Sequence, residues 1–197
     1  MEEEIMTKIS HITGVILAGG KSARFGQNKA FALFEGTPFI ERVLKVMRLT
    51  FSKVMIVTNS PADFAHLKVL VLADSIPCKG PLGGIMTALQ QTTDDGIFAV
   101  GCDMPCLSPF VIRRVLEKVK NHLAAVPEHD GIKEYLMAYY AKKLASTILS
   151  FLRQERLSLA ALCEFLTNIV WVPVEGKSWI NVNTRKDLEL LPRRMSC

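Results

Sequence analysis

A chain of 197 residues, 49% apolar and 22% charged, has the composition of an ordinary folded protein, which excludes disorder, collagen-like repeats and low-complexity tails as main themes. It can bury about two-thirds of its unfolded surface, so its core needs neither a disulfide nor a structural metal. Twenty-four basic side chains against nineteen acidic ones leave a charge of +5, which favours anionic partners without choosing among them.

The size fits one domain over residues 1–197, with residues 1–11 expected as a flexible N-terminal extension. The first apolar run, residues 13–18, reads as a strand. After Pro38, the residues Phe39, Ile40, Val43, Leu44 and Met47 recur at helical spacing, with Thr37 as the expected N-cap and Pro38 as the first helical residue. Strands follow at 53–58 and 68–72, then a helix over 81–91 and a strand at 97–101. Several of these runs are apolar throughout, as expected for strands covered on both faces. Ser108-Pro109 repeats the helix-start signal, and Val111, Ile112, Val115, Leu116 and Val119 form the buried stripe. Strands at 124–127 and 136–140, helices near 142–154 and 158–167, and a strand at 169–174 complete the alternation. A last helix over 185–191 is expected from Thr184 and Asp187, spaced as in a capping box. Strands alternating with helices predict an α/β fold with a mostly parallel sheet.

Five cysteines, at 78, 102, 106, 163 and 197, are odd in number and follow no zinc spacing. Reduced thiols in a cytoplasmic protein are expected. The acidic start MEEEIMTKIS lacks the apolar stretch of a signal peptide. No run reaches the ~18 apolar residues of a membrane span, so no membrane partner is expected; no nucleic-acid partner is expected either.

In open α/β sheets, ligands bind beyond the carboxyl ends of the strands. After the first strand stands Leu17-Ala18-Gly19-Gly20-Lys21-Ser22-Ala23-Arg24-Phe25-Gly26-Gln27-Asn28-Lys29. Its glycines let the backbone approach a ligand, and bare amides can form an anion-binding concavity. Lys21, Arg24 and Lys29 add positive charge, a combination that suits a polyphosphate. It is not a P-loop, because Val15 occupies the place of that motif's first glycine, and G-x-G-x-x-G is absent. A surface loop with solvated cations has the same composition; the position directly after an apolar strand favours the phosphate reading. Residues 20–27 are expected to be mobile until an anion arrives. Two carboxylates stand at comparable strand ends. Asp103, in Cys102-Asp103-Met104-Pro105, could cap a turn or hold Mg²⁺ against substrate phosphates. Asp74, after the run 69–73, carries the same alternative of an ordinary turn residue.

Leu17-Ala18-Gly19-Gly20-x-Ser22-x-Arg24-x-Gly26-x-x-Lys29 resembles the signature of nucleotidyltransferases. Joined by Gly80-Pro81-Leu82-Gly83-Gly84, Cys102-Asp103-Met104-Pro105 and Asn181-Val182-Asn183-Thr184, in this order, it makes the chain resemble the molybdenum cofactor guanylyltransferase (MobA) family over residues 12–191. The resemblance implies a three-layer Rossmann-like fold with a mostly parallel, mixed sheet. The implied reaction transfers GMP from GTP to molybdenum-molybdopterin, with Mg²⁺ as cofactor and pyrophosphate leaving. It implies that Leu17, Ala18, Gly19, Gly20, Lys21, Lys29, Asn59 and Asp74 contact GTP, and that Gly80, Pro81, Leu82 and Gly83 shape the base pocket. Asp103 would touch the nucleotide and hold the metal, and Lys29, Asp103 and Arg24 would carry catalysis. Asn181 and Asn183, two apart and so on one side of an extended segment, would line the molybdopterin. Cofactor-handling proteins and molybdoenzymes are the implied protein partners. Ala18-Gly19-Gly20 stands where related cytidylyltransferases tend to carry Ala-Ala-Gly, which favours guanine. One segment departs from the family pattern. Asp130-Gly131-Ile132-Lys133-Glu134-Tyr135-Leu136 replaces a Gly-Arg-x-x-Pro-Leu-like run expected to border the pterin, with Lys133 as a shifted substitute charge.

The expected chemistry is in-line attack by an ionised phosphate oxygen on the α-phosphorus. Positioning and charge neutralisation then suffice, and no strong general base is needed. His11, His66, His122 and His129 have no evident nucleophile beside them. Two other classes fit the same motifs: a cytidylyltransferase for the same pterin or another nucleotidyltransferase, such as a sugar-phosphate enzyme, and a non-catalytic GTP-binding module. CTP competition and pyrophosphate release separate them.

Overall fold

The computed structural model describes residues 7–19, 28–175, 182 and 187. In chain order the elements are β1 (Ile12–Leu17), a 3-10 turn (Lys29–Phe31), β2 (Leu33–Phe34), β3 (Thr37–Pro38), α1 (Phe39–Thr50), β4 (Val54–Thr58), a 3-10 stretch (Pro61–Leu67), β5 (Leu70–Ala73) and α2 (Gly80–Gln91). They continue with β6 (Gly96–Gly101), α3 (Pro109–Leu116), β7 (Ala124–His129), β8 (Ile132–Lys133), β9 (Met137–Ala141), a 3-10 turn (Lys142–Leu144), α4 (Ala145–Arg153), α5 (Leu159–Phe165) and β10 (Ile169–Pro173).

The main sheet runs β10-β7-β9-β6-β1-β4-β5, with β8 paired to β7. β1 pairs in parallel with β4 and β6, and β4 with β5. β9 runs antiparallel to β6 and β7, and β10 lies parallel to β7. This is the mostly parallel, mixed sheet expected. β6 is buried at every residue, because helices cover both faces and each successive side chain needs an apolar neighbour. Thus Ile16 packs with Ile40, Val43, Met47 and Ile112 of α1 and α3. Val15, pointing the other way, packs with Leu82 and Ile85 of α2, in a core completed by Ile148 and Leu162 of α4 and α5. The layers are therefore helix, sheet, helix. Among the described residues no helix is long and apolar enough to cross a membrane.

Ser108 caps α3 as expected, its hydroxyl accepting from the Phe110 amide at 3.3 Å with Pro109 in the first turn. The Thr37 cap is overturned. Thr37 pairs with Phe34 across the β2–β3 hairpin, Pro38 rather than Thr37 precedes the first helical residue, and no side chain caps α1. The turn of that hairpin is Glu35-Gly36, both with positive φ (50° and 77°). Asp130-Gly131, at 48° and 78°, makes the same two-residue turn between β7 and β8. Two-residue hairpin turns of type I′ need positive φ at both central positions. Of the extension expected over residues 1–11, the described part is docked. Ile9 bridges to Phe51, its amide donates to the Thr50 carbonyl at 2.9 Å, and Arg113 Nη2 donates to the Thr7 carbonyl at 2.8 Å. The last-helix expectation over 185–191 falls outside the described residues apart from Asp187.

The amino ends of the central strands are tied by a polar network. Thr13 donates to Asp94 Oδ2 at 2.7 Å, the Thr92 hydroxyl donates to Thr13 at 2.7 Å, and Lys53 Nζ donates to Asp94 Oδ1 at 2.5 Å. Burial of the Asp94 carboxyl acts to raise its pKa, but the hydrogen bonds from Lys53 and Thr13 and the nearby positive charge outweigh it and hold the group below its ordinary 3.8. A lowered folded-state pKa stabilises the protein above the unfolded value, and that stability is lost as pH falls through the folded one. The expected result is that Asp94→Asn is less stable than the parent at neutral pH, with the gap closing below pH 3.8. Urea titrations at several pH values check this; a gap unchanged down to the acid limit of folding contradicts it.

Candidate active site

The parallel strands β1, β4, β5 and β6 end on the same edge of the sheet, and their following residues face one another. After β1, the Ala18 amide donates to the Val57 carbonyl at 2.9 Å, and the buried Thr58 hydroxyl donates to the Ala18 carbonyl at 3.0 Å. Asn59 Nδ2 donates to the Gly19 carbonyl at 2.9 Å. A Cβ at Gly19 would stand 3.3 Å from that Asn59 nitrogen, so the glycine permits the close approach. Asn59 therefore splints the start of the glycine loop and is left with its side-chain oxygen for a ligand. Thr58, which sequence reasoning missed, is the second splint; its signal was a hydroxyl at the end of an apolar strand.

Lys29 and Asp103, 74 residues apart, meet at this edge. Lys29 Nζ lies 2.6 Å from Asp103 Oδ2, with side chains 12% and 21% exposed. The 3-10 turn that carries Lys29 is capped by Asn28, whose Oδ1 accepts from the Ala30 amide at 3.2 Å. Asp103 is placed by main-chain bonds on either side of the strand end: the Cys102 amide donates to the Leu17 carbonyl at 3.2 Å, and the Val182 amide donates to the Asp103 carbonyl at 3.0 Å. A Cβ at Gly101 would collide with Asp103 Oδ1, so only glycine there leaves room for the carboxylate. Val182, buried with Phe34, Phe39 and Cys106, returns the chain to Asp103. Asn181 and Asn183 themselves lie outside the described residues, as do Gly20, Lys21 and Arg24 and the whole loop 20–27.

Asp74 takes the turn role that its sequence position left open. Its Oδ1 accepts from the Ile76 amide at 3.0 Å, a local Asx turn, and from the Thr87 hydroxyl of α2 at 2.9 Å. The carboxylate thereby fastens the segment before α2 to the helix. Lys79, the residue before the helix, gives it no side-chain cap, and Pro81 stands in the first turn. The first-turn amides are thus open to a ligand. Gly80 has φ +62° with open space around its Cβ position, so conformation selects glycine there. At Gly83 space selects it: a Cβ would stand 2.7 Å from the Ile76 carbonyl oxygen. Gly83→Ala is expected to cost about 1–3 kcal/mol. Gly84→Ala, which meets the ends of the Leu17 and Val57 side chains at 3.0 and 3.7 Å rather than backbone, is expected to cost less. Thermal denaturation of the two variants checks the order, and the reverse order contradicts it.

Burial, reinforced by the Asp103 carboxylate, pushes the Cys102 thiol up to about 12. It stays protonated and is no nucleophile. The segment that departs from the family pattern forms the β7–β8 hairpin, and Lys133 Nζ lies 4.0 Å above the Trp171 ring. Tyr135 meets the same ring edge-on at 6.4 Å. The substitute charge expected of Lys133 is therefore engaged with an aromatic face.

Among the described residues no three His, Cys, Asp or Glu side chains cluster as a metal cage. Mg²⁺ in phosphate-transfer sites is commonly held by one or two carboxylates and by the substrate's own oxygens. The Asp103 carboxylate at the strand edge fits that arrangement.

Comparison with known proteins agrees on a class, the nucleotidyltransferases of Rossmann-like fold. A family model described as the MobA-like NTP transferase domain matches residues 14–167. The probable molybdenum cofactor guanylyltransferase of Bacillus cereus strain AH187 is 32% identical over 195 residues, covering 91% of this chain and 94% of that one. The molybdenum cofactor guanylyltransferase of Desulfosudis oleivorans is 31% identical over 187 residues, covering 90% and 93%. Among solved structures, molybdopterin-guanine dinucleotide biosynthesis protein A from Archaeoglobus fulgidus superposes with a TM-score of 0.78 at 25% identity, covering 91% and 96%. The chain belongs to the MobA-like NTP transferase family, and it is a nucleotidyltransferase.

Proposed function

We propose that the protein transfers GMP from GTP to molybdenum-molybdopterin, forming the guanine dinucleotide cofactor and releasing pyrophosphate. The observation that carries this reading is the Lys29–Asp103 pair, 2.6 Å apart at the edge where β1 and β6 end, in a chain whose relatives are named molybdenum cofactor guanylyltransferases. Leu17, Ala18 and Gly19 lie against the nucleotide, with Gly20, Lys21 and Arg24 continuing the phosphate loop. Asn59 and Asp74 border it, and Gly80, Pro81, Leu82 and Gly83 present the first turn of α2 to the base. Asn181 and Asn183 are assigned to pterin recognition. The incoming phosphate is already ionised, so these residues orient it and neutralise charge rather than abstract a proton. The Lys29 ammonium, held by Asp103 before substrate arrives, is shared with the triphosphate oxygens afterwards. Asp103 would hold Mg²⁺, which when bound supplies positive charge to the phosphates undergoing transfer. The product is suited to delivery, through cofactor-handling proteins of the cytoplasm, to molybdoenzymes.

The test is incubation of the purified protein with Mg²⁺, molybdenum-molybdopterin and each nucleoside triphosphate in turn, reading pyrophosphate release and dinucleotide mass. GTP is expected to be the preferred donor. A preference for CTP would reassign the protein as a cytidylyltransferase. Binding of GTP with no pyrophosphate released would reduce it to a binding module.

A further inference from the structure

A cleft of about 670 Å³ opens at the opposite end of the sheet from Asp103, where β1 and β6 begin and β9 ends. Its floor is apolar, formed by Ile12, Val119 and Leu123. His11, Asp95, Lys120, His122 and Lys143 line the cleft as well. The wall that carries His11 is fixed, because the Ile9 amide donates to Thr50 and the Ser52 amide donates back to Ile9, each at 2.9 Å.

Tyr139 lines the same cleft while only 4% of the residue is exposed. Its ring and hydroxyl lie over Gly96, where a Cβ would stand 2.7 and 2.8 Å from them, so the glycine makes the room. The hydroxyl makes no hydrogen bond to any described residue. The ring is buried while the hydroxyl oxygen opens to the cleft, where it can donate to a ligand. Burial and the Asp95 carboxylate push the Tyr139 phenol up, so it remains a donor.

We infer that this cleft is a second anion site, separate from the nucleotide site, that takes a small phosphate ester with an apolar body. A phosphate offers several acceptor oxygens, which matches the two lysines, two imidazoles and phenol that line the cleft. The apolar floor matches a flat hydrocarbon body rather than a bare ion.

The test uses phenyl phosphate as probe and the imidazole proton resonances of the protein as readout. The expected result is a saturable shift of the His11 and His122 signals with those of His66 and His129 unmoved. Inorganic phosphate should give the same pattern more weakly, and benzyl alcohol none. Tyr139→Phe should weaken binding about tenfold or more, since a hydrogen bond to a charged group is lost. Lys120→Ser with Lys143→Ser, both exposed positions, should abolish it. Lys29→Ala should leave the titration unchanged. Absence of a saturable shift, equal shifts with benzyl alcohol, full affinity in both the Tyr139 and the double lysine variants, or loss of the titration in Lys29→Ala would each overturn the inference.

Discussion

Asp103→Asn is expected to lower nucleotidyl transfer about 10²–10³-fold, the usual loss when one preorganised electrostatic contact at a reacting centre is removed. The amide keeps the shape of the carboxyl group, and the main-chain bonds that place residue 103, from Cys102 to Leu17 and from Val182 to Asp103, do not depend on its side chain. Gly101 still leaves the space. What changes is charge. Lys29 would face a neutral oxygen, and the site would lose its anionic ligand for Mg²⁺. The expected loss of stability is about 1 kcal/mol, or about 2–4 °C in melting temperature for a chain of this size. Transfer should also become poorly responsive to Mg²⁺. A purely structural carboxylate makes the opposite prediction, a markedly less stable protein that still turns over in the cold. Ordinary guanylyl transfer by a well-folded Asp103→Asn protein at ordinary Mg²⁺ would mean that the metal sits elsewhere, and the proposed roles would have to be withdrawn.

Lys29→Ala is expected to weaken GTP binding by about 10–100-fold, because a charge-assisted hydrogen bond is worth roughly 1.5–3 kcal/mol. The structure sharpens the reason. Lys29 is 12% exposed and sits 2.6 Å from Asp103, so its removal also leaves the carboxylate beside the triphosphate without a cation. The two residues should therefore couple, and the double variant Lys29→Ala with Asp103→Asn should bind GTP less poorly than the sum of the single losses. Calorimetric titration of the three variants reads both effects. Unchanged affinity in Lys29→Ala would remove the residue from the nucleotide site, and strict additivity would mean that the pair does not act as a unit.

What the sequence determined by itself follows from burial. β1 and β6 are covered on both faces, so apart from Thr13 at the start of β1 they carry no polar side chain, and such an apolar run is visible without knowing the neighbours. α3 has a buried stripe and a serine cap that accepts from the Phe110 amide, both properties of consecutive residues. Gly19 was legible because a close backbone approach, here to Asn59, constrains residue type locally. Tertiary structure decided the rest. β2, β3 and β8 are two residues long, too short to show any period, and only the Glu35-Gly36 and Asp130-Gly131 turns betray them. Thr37-Pro38 is chemically a helix start, yet pairing with Leu33 and Phe34 claims it for a strand. Asp74 could be read as a turn or a ligand, and only the arrival of Thr87 from α2 shows which bonds it makes. The pairing of Lys29 with Asp103 has no local signature, nor does the return of Val182 to the Asp103 carbonyl. Both exist because parallel strands align their carboxyl ends, bringing together residues that the chain keeps 74 positions apart.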